Sequence, residues 1–181
     1  MSLILLALTL LGFQVQTTAP AIDNQRVQVR EIDGAVDTIP YESIWISRTG
    51  HAALLPKNSH SKAQGAGILI GLKDFTQTPL VNKSGYPLAM PRPGSKKLIE
   101  NARVIVWDYT WKPGIATPMH FHDKDVVVFY LDDGSLQSTT PGGEVTVNEY
   151  KPGMIRFNLR DRTHTETLVR GKQRAIITEL K

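Results

Sequence analysis

The sequence predicts an all-β fold made of short strands. Apolar residues repeatedly alternate with polar ones at a period of two, which places every second side chain on the same face of a strand. Most of the 14 glycines and 11 prolines fall between the short apolar runs, where turns between strands need them. No window carries the helical spacing of apolar residues that an amphipathic helix requires. A sandwich or barrel of strands is therefore the predicted architecture.

Seven segments carry this alternation and are rich in the β-branched and aromatic residues that favour strands. One short helix is also predicted, between Gly94 and Glu100, because Ser95 is suited to cap it. The predicted strands include residues 27–29, 43–46, 67–70, 104–107, 126–131, 144–147 and 174–180.

The first residues predict a secretory signal peptide over residues 1–21. Residues 3–13 are apolar but too few to span a bilayer, which needs about 20 residues. A polar stretch follows, and then Ala19-Pro20-Ala21, a small-x-small pattern suited to cleavage. We therefore expect a secreted or periplasmic protein with no membrane span once the signal is removed. No Lys or Arg precedes the apolar run, so a buried first element is the alternative interpretation.

The remaining chain is interpreted as two related lobes, residues 22–97 and residues 98–181. Residues 23–29 resemble residues 100–106, and a second pair of similar segments, 66–73 and 174–181, follows in the same order. The first lobe is then a degenerate repeat that lacks a histidine pair. Chance similarity between strands is the alternative. The stretch 76–94, rich in Pro, Gly and Lys, is expected to connect the lobes.

Composition narrows the classes of function. The 181 residues carry a formal net charge of +4 with basic residues scattered along the chain, so a nucleic-acid surface, which needs a basic stripe with aromatic residues, is not expected. There is no cysteine, which excludes disulfides, thiolate nucleophiles and zinc–thiolate sites. Any metal must be bound by His, Asp or Glu.

The candidate site lies around His120 and His122. These two residues are two apart and lead into an apolar strand, so both imidazoles lie on one face and can bind one ion. His164 precedes the last strand, and an antiparallel partner strand can present it as a third ligand. Three imidazoles with one carboxylate suit a transition metal with positions open for water, substrate or oxygen. His51 and His60 lack such a context and are interpreted as surface or loop residues.

Asp125 is the first choice for the carboxylate ligand, with Asp123 and Glu166 as alternatives. Asp125 lies at an odd offset from His122, so a bulge or turn must rotate it inward if it is to bind the ion. Without that rotation it is an exposed charge on a loop.

These residues resemble the motifs of the cupin superfamily. The first cupin motif is Gly, five residues, His-x-His, three or four residues, Glu, six residues and Gly. Gly114, the histidine pair 120–122 and Gly134 match it. The second motif, Pro and Gly followed by a His, is similar to Pro152-Gly153 and His164.

The resemblance covers residues 98–181 and departs at the motif glutamate, where Val126 or Val127 stands and Asp125 has to substitute for it. The pattern His-x-His-x-x-Asp-x-Val-Val-Val is similar to a subgroup of small single-domain cupins related to β-alanine degradation. The resemblance implies a double-stranded β-helix, or jelly-roll, barrel that is often a homodimer. It also implies one divalent ion, which can be Fe, Mn, Zn or Ni.

Three functions remain open, because a fold does not fix an activity. The first is a metal-dependent enzyme, dioxygenase-like or isomerase-like, acting on a small organic acid. The second is a non-catalytic module that binds a small, anionic ligand or only a metal. The third is a structural relic that binds nothing. The pocket residues considered are Tyr109, Trp111, Phe129 and Arg156, where an inward Arg156 favours a carboxylate ligand.

Overall fold

The computed structural model describes residues 20–34, 38–59 and 65–181. The predicted signal peptide lies almost entirely outside this part of the chain, as does His60, and both interpretations stay predictions. Across the described residues, every helix or strand assigned is a β-strand. The all-β prediction is confirmed. The same residues include no helix long and apolar enough to cross a membrane.

Five strands near the N-terminus form one antiparallel sheet in the order β1-β2-β5-β3-β4, which we call the N-terminal sheet. Along β2, Val27 and Val29 are fully buried while the residues between and after them are partly exposed, so one face is covered. The strands are β1 (Ile22–Asp23), β2 (Val27–Asp33), β3 (Ser43–Ser47), β4 (Ala52–Leu55) and β5 (Ala66–Leu72).

The rest of the chain forms two sheets that face each other. A five-stranded sheet has the order β12-β9-β14-β7-β6, and a four-stranded sheet has the order β11-β10-β13-β8. From β7 to β14 the chain passes between these sheets at every step except β10 to β11, which is the winding of a double-stranded β-helix. The strands are β6 (Lys96–Glu100), β7 (Val104–Trp111), β8 (His120–His122), β9 (Asp125–Tyr130), β10 (Gly134–Thr139), β11 (Val145–Tyr150), β12 (Ile155–Asn158), β13 (Arg162–Gly171) and β14 (Gln173–Leu180).

The helix predicted between Gly94 and Glu100 is wrong. Ser95 does cap, but it closes a turn by donating from Oγ to the carbonyl of Arg92 at 2.7 Å. The residues after it form β6, which pairs with β7 through a bulge between Lys97 and Ile99. Pairing with a buried strand has overridden the weak local preference.

The five-stranded sheet is covered on both faces. Its inner face, with Trp107, Val126 and Ile177, packs against Leu136 and Leu168 of the four-stranded sheet. Its outer face packs against the N-terminal sheet in a second core cluster. Two covered faces explain why β9 is buried at all six positions and reads as a continuous apolar run. The predicted division of the chain into residues 22–97 and residues 98–181 stays a prediction.

The segment expected to connect the lobes runs beside β8. The carbonyl of Pro87 accepts a hydrogen bond from Phe121 N, and Ala89 N donates to the carbonyl of Phe121, both at 2.8 Å. We call residues 87–92 the strap. It brings Met90 and Arg92 into the interior between the two facing sheets, where both are buried.

The packing of the outer face can be tested at Phe129, which is 1% exposed and lies in the core shared with the N-terminal sheet. Phe129→Ala should lower the free energy of unfolding by about 3–5 kcal/mol, because it removes a large buried side chain and leaves a cavity. Denaturant titration measures the change. Val145→Ala, at a side chain that is 57% exposed, is the control and should change stability by less than about 0.5 kcal/mol. Equal effects of the two variants would contradict the packing.

Candidate metal centre

Two adjacent strands bring three imidazoles together. β8 carries His120 and His122 on its inner face, and antiparallel pairing with β13 places His164 directly opposite His120. One nitrogen from each ring lies within 4.8 Å of the other two. The Nε2 atoms of His122 and His164 are 3.2 Å apart. Two imidazoles bound to one ion at about 2.0–2.1 Å each would have nitrogens at a similar separation. The three histidines therefore fit one small divalent ion.

Hydrogen bonds at Nδ1 orient two of the three rings, His120 and His164. His120 Nδ1 lies 2.7 Å from the carbonyl of Pro118, so this nitrogen carries the proton and Nε2 keeps its lone pair. The Oγ of Ser138 lies 3.2 Å from Nδ1 of His164. His122 Nδ1 is buried and finds no hydrogen-bond partner among the described residues. A ring held by its Nδ1 side presents Nε2 to a ligand.

The cluster favours neutral imidazoles. Burial, reinforced by the charge of Arg92, lowers the pKa of His120 to about 4. Burial also lowers the pKa of His122 well below its usual value, with Arg162 as the next cause. The pKa of His164 is lowered by burial, although Glu166 opposes the shift. Neutral imidazole is the form that binds metal, so the ligating state is the one present at neutral pH.

The structure corrects the prediction that Asp125 joins the three histidines. Asp125 begins β9 on its outer face, and no bulge turns it inward. Its Oδ2 accepts a hydrogen bond from Arg26 Nη1 at 2.7 Å, and both side chains are buried. Its Oδ1 accepts a second bond, also 2.7 Å, from the backbone N of Arg160. Asp125 therefore joins β9 to the N-terminal sheet and to the turn before β13.

The two alternative carboxylates have different positions. Asp123 is partly buried and pairs with its neighbour Lys124 at 2.7 Å. Glu166 follows His164 by two residues on β13, so both side chains share the inner face. Its Oε2 accepts hydrogen bonds from Trp111 Nε1 at 3.2 Å and from Arg92. Burial opposes ionisation of Glu166, but Arg92, the two nearby histidines and the hydrogen bond from Trp111 together outweigh it, and the pKa is lowered.

Arg92 enters the cluster from the strap, and sequence reasoning missed it. Its Nη1 lies 3.4 Å from His120 Nε2 and 3.4 Å from Glu166 Oε2. Its guanidinium carbon lies 3.9 Å from the centroid of the Tyr109 ring and 5.3 Å from that of Trp111. Tyr109 and Trp111 thus face inward, and their rings hold a cation beside the histidines. No spacing in the Pro-rich connecting segment distinguishes Arg92 from a surface arginine.

A cavity between the facing sheets reaches the cluster. It has an empty volume of about 430 Å³, which includes its open mouth, and His122 and His164 form part of its wall. Arg92 and Arg162 are the arginines that line it. Arg156, considered above as an inward cation, is exposed, and Phe129 faces the outer core. His51 is exposed as expected. The remaining lining residues are Ala89, Met90, Trp111, Val126, Val128, Tyr130, Asn158, Glu166, Ile177 and Glu179.

Glu179 is a second carboxylate in this cavity that the sequence did not reveal. It is 4% exposed and lies on the inner face of β14. Its Oε2 accepts a hydrogen bond from Trp107 Nε1 at 2.8 Å. Burial raises the pKa of the carboxyl despite that bond. Glu179 therefore can hold a proton more readily than an exposed carboxylate does.

The role of Asp125 can be tested by Asp125→Asn. Removing one partner of a buried ion pair leaves Arg26 uncompensated, so the free energy of unfolding should fall by about 3–5 kcal/mol. Metal binding should persist, because Asp125 does not reach the histidines. Denaturant titration and elemental analysis measure the two effects. Asp123→Asn, which alters a less buried pair, is the control. Complete loss of metal from a still folded Asp125→Asn protein would restore Asp125 as a ligand.

The lowered pKa of His120 predicts how the metal-free protein responds to acid. In the unfolded chain, His120 is protonated below its usual pKa of about 6.5. In the folded protein it stays neutral until the pH falls to about 4. The contribution of His120 to the free energy of unfolding is therefore fully present above about pH 6.5. It decreases by about 3 kcal/mol as the pH falls towards 4. Denaturant titration across this range should show a shallower fall in His120→Gln than in the wild type. His51→Gln controls for loss of an exposed histidine; identical slopes in the wild type and His120→Gln would contradict the prediction.

Comparison with known proteins adds one segment match and a set of structural neighbours. No family model matches the sequence. The chain is similar to the β-alanine degradation protein BauB of Pseudomonas aeruginosa, with 41% identity over 61 residues, which is 34% of this chain. The match spans 60% of that relative's length.

Solved structures of cupins are also similar. A cupin domain from Bordetella pertussis is 27% identical and has a TM-score of 0.44, covering 51% of this chain and 99% of its own. A cupin 2 conserved barrel protein from Leptotrichia buccalis is 11% identical and has a TM-score of 0.49, covering 88% of this chain and 86% of its own. The strands of the C-terminal part of this chain thus have the double-stranded β-helix winding of the cupin fold, and the histidine pair on β8 is similar to the first cupin motif.

Proposed function

We propose that this protein is a metal-binding cupin that holds one divalent ion on His120, His122 and His164 and takes a small organic acid into the adjacent cavity. One observation carries the proposal: the three imidazoles converge within 4.8 Å, on two strands whose register is fixed by backbone pairing. Burying three imidazoles side by side removes each ring from water, which is unfavourable unless a bound ligand compensates for the lost hydration.

Charge balance supports an anionic ligand. The cavity holds the cations Arg92 and Arg162, and the three imidazoles are neutral. Glu166 offsets one of the arginines, and Glu179 resists ionisation. A divalent ion would add two further positive charges to a site that solvent screens weakly. A carboxylate ligand reduces this excess, and arginine is well suited to bind it.

A bound ion would supply Lewis-acid chemistry or dioxygen activation at its open positions. The protein's own residues would do the rest. Arg92 would orient a carboxylate, and the cavity wall of Val126, Val128 and Ile177 would exclude water. Glu179 would hold or release a proton at its free oxygen. The name of the Pseudomonas aeruginosa relative points the same way, since β-alanine is itself a small carboxylic acid.

A non-catalytic binding module is the second candidate, and one observation favours it. Among the described residues, no carboxylate joins the three imidazoles to complete the expected ligand set. Incubating the metal-loaded protein with a panel of small organic acids separates the candidates. Consumption of one acid, detected by mass spectrometry, would indicate an enzyme. Binding without consumption would indicate a module. Secretion and homodimer formation also remain proposals.

Elemental analysis of the purified protein tests metal binding. We expect close to one ion per chain in the wild type and none in the double variant His120→Ala/His122→Ala, because two of three ligands are lost. His51→Ala is the matched control and should keep the ion, since His51 is exposed and outside the cluster. No metal in the wild type, even after reconstitution with iron, manganese, zinc and nickel, would overturn the proposal.

A further inference from the structure

Arg92 is hydrogen-bonded to the histidine cluster at the Nε2 atom of His120. Because His120 gives its Nδ1 proton to Pro118, Nε2 accepts, and Nη1 of Arg92 donates to it at 3.4 Å. That same lone pair must bind the ion. An ion on the three histidines therefore requires Arg92 to give up this hydrogen bond.

Arg92 is held firmly in this position. Its side chain is 6% exposed, stacks over the ring of Tyr109 and is paired with Glu166 at 3.4 Å. The strap that carries it is hydrogen-bonded to β8 on both sides of Phe121. Yet one donor is spare, because Nε is buried without a partner among the described residues. A buried, unpaired N–H group beside a cavity is available to donate a hydrogen bond to an acceptor atom of a ligand.

The ion and Arg92 also repel each other. Both are cations in a buried site, where attraction and repulsion are weakly screened. Glu166 offsets the charge of Arg92 but leaves that of the ion unbalanced. A ligand that accepts from the spare Nε and from an Nη of Arg92 would satisfy the guanidinium, draw it from His120 and supply negative charge. A carboxylate has the two oxygens in the spacing that this requires.

We infer that Arg92 makes metal binding and carboxylate binding mutually dependent in this protein. Without a carboxylate, Arg92 competes with the ion for His120. With a carboxylate on Arg92, the ion binds more tightly, and by linkage the carboxylate binds more tightly when the ion is present. This inference rests on the proposed metal site and assigns its anion subsite to the strap.

Isothermal titration of the full protein with Ni²⁺, in acetate and in chloride at equal ionic strength, tests the inference. In chloride, Arg92→Gln should bind Ni²⁺ at least tenfold more tightly than the wild type. Acetate should raise the wild-type affinity about tenfold relative to chloride and leave that of Arg92→Gln unchanged or lower. Arg92→Lys keeps the charge and should bind as weakly as the wild type in chloride. Arg156→Gln, which removes an exposed arginine, is the matched control and should behave as the wild type.

The outcomes separate this inference from the proposed function. Equal or weaker Ni²⁺ binding by a folded Arg92→Gln, or no effect of acetate on the wild type, would overturn the inference while leaving the metal site in place. If Arg92→Gln does not fold, the wild-type response to acetate decides alone. No binding of Ni²⁺ by any of these proteins, in either salt, would remove the metal site and the inference with it.

Discussion

Coverage of both faces of the five-stranded sheet is the constraint on which the rest of the structure depends. β9 and β14 lie side by side in this sheet and bury residues on each face. One face closes the interior that contains the histidines, and the other holds the N-terminal sheet. Successive side chains on such a strand point alternately into one core and then the other. Whether a residue can reach the histidines therefore depends on whether its position in the strand is odd or even.

The metal centre depends on this arrangement through the register of two short strands. β8 has only three residues, and pairing with β13 alone would leave its outer edge open. The strap covers that edge, and its hydrogen bonds to Phe121 hold the residue between the two ligands. The same contacts place Arg92 next to His120. The strap therefore both supports the strand that carries two of the histidines and supplies the positive charge of Arg92 next to them.

The fold class and the His120–His122 pair could be predicted from the sequence because both rest on local periodicity, whereas His164 required the further assumption that a partner strand lies beside the pair. Strand alternation marks the faces, and a His-x-His pair on a strand must share one of them. Asp125 could not be placed in this way. Its odd offset from His122 already put it on the other face, but its partner Arg26 lies 99 residues away in the chain. Nothing local indicates that pair.

Arg92 and Glu179 illustrate a second reason for failure. Arg92 lies in a segment with turn-forming composition, and only the tertiary path of the strap makes it a buried residue. Glu179 lies in the last strand, where a charged residue in an apolar run is usually taken as solvent-facing. Its burial depends on Trp107 from a neighbouring strand. The short helix predicted between Gly94 and Glu100 failed for a similar reason, because the pairing of these residues with β7 cannot be read from local preference.

Arg92 comes from the strap, which lies outside the strands of the double-stranded β-helix. The strap makes backbone hydrogen bonds to β8, and these do not depend on its side chains. Substitutions at its interior positions can therefore change the charge and shape beside the histidines while the strands keep their pairing. A change of residue at position 92 would therefore alter the charge next to His120 without removing a backbone hydrogen bond between the strap and β8.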